Sequence, residues 1–143
     1  MKKKVLIVAA DFYKQITASL YKDATSLLNK NKIKYNTFYV PGVFEIPVTI
    51  SKNINKYDGF IALGCVIKGQ TPHFDFISRT TFDALMSLSI NFKKPIGNGI
   101  ITSLNMKQAI QRSGNKAVVL KKNRDKGKGK EATKATISIL KQK

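Results

Sequence analysis

Two unbroken apolar runs, Val5 to Ala10 (VLIVAA) and Phe60 to Ile67 (FIALGCVI), restrict what this chain can fold into more than any other feature. A strand with one wet face alternates polar and apolar residues, whereas a strand covered on both faces does not. Both runs read as doubly buried strands, and each precedes a stretch with helical spacing. From Gln15 to Lys30, Ile16, Leu20, Ala24, Leu27 and Leu28 share one face of a helix. Tyr35 to Val40 reads as a strand stopped by Pro41-Gly42, and Pro47 suits the first turn of a helix reaching about Asn55.

Beyond the second run the pattern repeats. Ile77, Thr81, Ala84, Leu85 and Leu88 mark a helix, and Ile96 to Thr102 a fourth strand. Asn105 and Gln108 bracket a capped helix start, with Gly114 as its stop. Lys121 to Lys130 (KKNRDKGKGK) reads as a flexible basic loop before a last helix, Glu131 to Leu140. Strands alternating with helices imply parallel βαβ units and a doubly wound α/β sandwich. The 143 residues fit one domain, 1–143, with no internal repeat.

Composition narrows the chemistry. Cys65 is the only cysteine, His73 the only histidine, and glutamate occurs twice. No internal disulfide or cysteine-based metal site can form, and a transition-metal site would lack ligands, so metal-free chemistry is expected. The formal net charge of +18 raises nucleic-acid binding as an option. Only three of the 26 basic residues are arginine (Arg79, Arg112, Arg124), and Lys, Asn and Ile together are what AT-rich codon drift yields. Drift is preferred to polyanion binding, because the lysines form no stripe interleaved with aromatics. Val5 to Ala10, cut off by Asp11, is short for a secretory signal, and no run could span a bilayer; a cytoplasmic chain is expected.

In open parallel sheets ligands sit beyond the carboxyl ends of the strands. That rule selects Asp11-Phe12-Tyr13, Pro41 to Glu45 and Cys65 to His73. Thr71 is a good N-cap and Pro72 a good first helical residue, so amides around Gly69 to Thr71 could receive an anion such as phosphate. His73 would stand beside it, able to move protons near neutrality, or it could simply pack against Phe74 and Phe76. Phe12 could stack on a heteroaromatic ring or belong to the core. Glu45 and Arg112 each also suit a helix end electrostatically. Asn98, between Gly97 and Gly99, implies a close approach to the backbone or a bulge.

Three segments then resemble one family. Val40 to Pro47 (VPGVFEIP) is similar to VPGAFEIP, and Ala62 to Phe76 (ALGCVIKGQTPHFDF) to ALGxVIRGxTPHFDY. Gln108 to Gly114 (QAIQRSG) is similar to EQAxxRAG. These are motifs of the 6,7-dimethyl-8-ribityllumazine synthase family, and the resemblance runs from Val5 to about Leu140.

The resemblance implies a flavodoxin-like three-layer sandwich with a central parallel four-stranded sheet, assembled into pentamers with each active site between subunits. It implies condensation of 5-amino-6-(D-ribitylamino)uracil with 3,4-dihydroxy-2-butanone 4-phosphate, without a cofactor, and a riboflavin synthase as possible partner. By position, Phe12 would stack on the pyrimidine, and Val43, Phe44 and Glu45 would hold the ribityl chain. Cys65, Val66 and Ile67 would meet the ring through backbone atoms, and Asn98 would stand at its pocket wall. Gln70 and Thr71 would bind phosphate, Arg112 of the adjacent subunit would close over it, and Lys128 would lie nearby. His73 would be the acid/base group.

The chain departs from the family pattern in places. Asp11-Phe12-Tyr13 keeps only the stacking residue of Arg-Phe-Asn, Thr80 replaces a glutamate, and Asn98 replaces an aromatic. Weaker substrate binding is the expectation. A direct start at the first strand and a long segment between Gly114 and Glu131 favour pentamers or decamers over capsids. Two rival readings are a non-catalytic polyanion-binding or RNA-binding module and a paralogous riboflavin synthase.

Overall fold

The computed structural model describes residues 2–114 and 127–142. Strands β1 (Lys4–Ala10), β2 (Lys34–Val40), β3 (Gly59–Ile67) and β4 (Ile96–Ser103) form one parallel sheet in the order β2-β1-β3-β4. Helices α1 (Lys14–Lys30), α2 (Ile46–Lys52), α3 (His73–Phe92), α4 (Met106–Arg112) and α5 (Lys128–Leu140) cover its two faces, making the three-layer α/β sandwich expected from the sequence.

The unbroken runs are explained by the two cores they serve. Val5, Ile7 and Ala9 of β1 join Ile61, Leu63 and Cys65 of β3 beneath α1 and α5. The intervening Leu6, Val8, Ala10, Phe60, Ala62 and Val66 meet α2 and α3 on the other face. Every residue from Val5 to Ala10 and from Gly59 to Val66 thus leaves water whichever way it points.

Several boundaries differ from expectation. Helix α2 stops at Lys52 and gives way to a turn in which Asn53 N–H bonds the Ile50 carbonyl oxygen. Helix α3 begins at His73, with Pro72 at its N-cap where Thr71 was expected; Thr71 Oγ1 still accepts from His73 N–H, at 3.4 Å. Of the expected basic loop, residues 121–126 lie outside the described residues, whereas Lys128 to Lys130 form the first turn of α5. The cause is tertiary. Gly129 lies against the backbone of Leu20 in α1, where an added Cβ would come within 2.6 Å of the Leu20 carbonyl oxygen. Packing against α1 extends a helix that the local Gly-Lys sequence disfavours.

The capped start of α4 is present: Asn105 Oδ1 accepts from Gln108 N–H, and Gln108 Oε1 accepts from Leu104 N–H, both at 2.9 Å. Pairing of β4 with β3 runs without interruption from Ile96 to Ser103, so Asn98 does not sit in a bulge. The glycines beside it admit close neighbours. A Cβ on Gly97 would overlap Thr136 Oγ1 and the Ala132 carbonyl oxygen of α5.

Candidate active site

The loops leaving the carboxyl ends of β1, β2 and β3 converge on a cleft of about 490 Å³. Phe12 and Tyr13 come from the first loop, and Val43, Phe44 and Glu45 form a 3₁₀ turn in the second. Cys65, Val66 and Ile67 end β3, and His73 and Ile77 open α3. Topology alone brings these segments together, since parallel strands deliver every such loop to one end of the sheet.

Phe12 is not a core aromatic. It is 74% exposed and lies at a steep angle to Tyr13, with centroids 4.9 Å apart, and that exposure leaves ring surface open to a flat partner. Phe44 is likewise exposed, at 57%, above the buried Val43. Glu45 is half-buried where the 3₁₀ turn passes into α2, in reach of the cleft and of a helix N-terminus together.

Burial pushes the Cys65 thiol up to about 11. It stays protonated at neutral pH and is a poor nucleophile, leaving the backbone of the strand end as the group it offers. Tyr13 is also raised, first by burial and then by Cys65.

His73 is exposed at the first turn of α3 and lines the cleft. Phe76 is 68% exposed, so the histidine is not enclosed between two buried phenylalanines. Gln70 and Thr71 are exposed on the approach to α3, outside the lining of the cleft. Among the described residues no acceptor takes the backbone N–H of Gly69, Gln70 or Thr71, and open space surrounds Gly69. A loop of free amides at the N-terminus of a helix twenty residues long can receive an anion.

The remaining candidates lie elsewhere. Asn98, Arg112 and Lys128 line a second cleft, of about 310 Å³, along the edge strand β4; it shares no lining residue with the first. Arg112, in the last turn of α4, donates from Nη1 to the Thr102 carbonyl oxygen at 2.7 Å. Lys128 Nζ stands 3.5 Å from Glu131 Oε1 one turn along α5. Asn98 Oδ1 accepts from Ile100 N–H at 3.1 Å. The first cleft offers an aromatic plate, a carboxylate and an imidazole; the second offers two cations and a carboxamide.

Tyr13 lines the first cleft as part of a segment that the sheet rule selects, whereas Ile77 in the first cleft and Phe82, Ile100, Ile101, Thr102 and Glu131 in the second are lining residues that the sequence did not single out. Glu131 was recoverable from its spacing three residues beyond Lys128, had the loop been read as helix.

A family model described as 6,7-dimethyl-8-ribityllumazine synthase matches residues 2–143. A protein of that name from Bartonella tribocorum is 42% identical over 145 residues, covering 98% of this chain and 91% of its own. One from Agrobacterium fabrum is 37% identical over 149 residues, covering 99% of this chain and 95% of its own. A third, from Limosilactobacillus reuteri, is 41% identical over 114 residues, 78% of this chain and 75% of its own.

Proposed function

Because this chain belongs to the 6,7-dimethyl-8-ribityllumazine synthase family, we propose that its two clefts are complementary halves of one active site. They would be joined when the second cleft of one subunit closes over the first cleft of its neighbour. The reaction is the condensation of 5-amino-6-(D-ribitylamino)uracil with 3,4-dihydroxy-2-butanone 4-phosphate to 6,7-dimethyl-8-ribityllumazine, releasing phosphate and water in the penultimate step of riboflavin synthesis.

In this reading Phe12 stacks on the pyrimidine, while the strand-end backbone at Cys65, Val66 and Ile67 meets the polar edge of the ring. Val43, Phe44 and Glu45 hold the ribityl chain. The amides at Gln70 and Thr71 take the phosphate of the second substrate, and Arg112 and Lys128 of the adjacent subunit neutralise it from above. Guanidinium suits that task because its fork matches phosphate oxygens. Imine formation, phosphate elimination and ring closure each move a proton. His73, beside the phosphate seat and open to the cleft, serves those transfers.

The observation that carries this reading is the division of the site residues between two clefts, one apolar and flat-walled, the other cationic. A pentamer, or a decamer of two pentamers, would complete every site. Light scattering should give five or ten times the 15.9 kDa chain mass; a monomer or a megadalton particle counts against it. Among the described residues no helix is long and apolar enough to cross a membrane, and a cytoplasmic enzyme handing its product to a riboflavin synthase is the setting proposed. Incubating the protein with both substrates and following the fluorescence of the lumazine tests the reaction. No product with either order of addition rejects the assignment.

A further inference from the structure

We infer that Phe82 is a specificity-determining residue of the second cleft, its ring serving as a stacking surface for the flat pyrimidine beside Asn98. The inference rests on the reading above, in which the second cleft of one subunit closes over the first cleft of the next. Phe82 lies midway along α3 and is half-buried; it packs against the apolar cluster beneath that helix and also lines the cleft of Asn98, Arg112 and Lys128.

Among the described residues it is the only aromatic lining that cleft. Asn98 has no ring to offer, and Ile100 N–H occupies its Oδ1, which leaves the two Nδ2 protons as its donors. Arg112 is tied to the Thr102 carbonyl oxygen, and Lys128 stands by Glu131. The cleft therefore has donors and cations for oxygen-rich groups, and one apolar plate for a heterocycle. A ring anchored on one side by core packing has little rotamer freedom left to lose, so stacking on its open side is cheap in entropy.

Phe82→Leu keeps an apolar side chain against the cluster and removes the ring. The KM for 5-amino-6-(D-ribitylamino)uracil is expected to rise about fivefold to tenfold, the effect of one aromatic contact. The sugar phosphate KM and kcat should stay within about twofold. Phe82→Tyr, which restores the ring, should bring the pyrimidine KM back. A pyrimidine KM unchanged in folded Phe82→Leu, or equal in the Leu and Tyr variants, overturns the inference. So does a parallel rise in both KM values accompanied by a fall in melting temperature, which marks a structural role. Phe12→Ala separates the two levels of the argument. If it raises the pyrimidine KM while Phe82→Leu does not, the role of Phe82 alone fails; if neither has an effect, the two-cleft reading fails with it.

Discussion

Arg112 Nη1 and the Thr102 carbonyl oxygen, 2.7 Å apart, tie the last turn of α4 to the outer end of β4. One nitrogen so used leaves the other N–H groups of the guanidinium for phosphate. A lysine ammonium carries its three donors on one nitrogen and lacks the planar fork that can hold the carbonyl at one arm and meet phosphate oxygens with the other. Arg112→Lys should raise the KM for the sugar phosphate about tenfold, the loss of one charge-assisted hydrogen bond, with little change for the pyrimidine. Initial rates with each substrate varied in turn give the comparison; equal effects on both would count against the phosphate role.

His73 is exposed, and its ring is not part of either core cluster. Replacing it with alanine should therefore spare stability and slow turnover, by up to about 10²-fold given the lower range of acid–base catalysis. Single-turnover rates alongside melting curves decide the matter. Undiminished turnover refutes a proton-transfer role.

The thiol of Cys65 releases its proton at about 11 in the folded chain, against 9.0 ordinarily, because burial disfavours the thiolate. Between those values the folded chain keeps a proton that the unfolded chain loses. Stability from this group is complete below pH 9.0 and declines as pH rises through about 11, by an amount on the order of 2 kcal/mol. Urea midpoints across that range should fall less steeply in Cys65→Ala than in the parent protein; parallel curves would show that another group is responsible.

Gly97 faces α5 with no room for a methyl group, its neighbours being Thr136 Oγ1 and a backbone carbonyl that cannot rotate away. Gly97→Ala should cost about 1–3 kcal/mol by overpacking. Denaturant titration measures it, and a loss below the error of the method would mean that α5 yields.

Subunits carrying His73→Ala and subunits carrying Arg112→Ala should each be impaired alone and recover activity when unfolded and refolded together. Some joined sites would then contain the intact imidazole of one chain and the intact guanidinium of another. A mixture no better than its components would place both residues in a site within a single chain.

The layers of the fold were legible because VLIVAA and FIALGCVI admit few other interpretations, and the Asn105–Gln108 cap was legible because it is local. The first turn of α5 was not. Its Gly-Lys repeat has poor helix propensity, and only contact with Leu20, more than a hundred residues earlier, makes helix the better choice. The place of Phe82 is not legible for a related reason: it sits between the core positions Thr81 and Leu85, on a face whose role depends on which strand lies at the sheet edge. The split of the candidate residues into two clefts likewise follows from the position of β4 in the sheet, which strand identity does not reveal.

Helix α1 begins two residues after Phe12 and, nearly two turns further on, presses the backbone of Leu20 against Gly129, next to Lys128. A single rod thus sets the height of a plate at its tip and the reach of a cation along its flank. Any substitution that slides this rod along its axis would detune heterocycle affinity and phosphate affinity together, although none of the altered atoms touches either substrate.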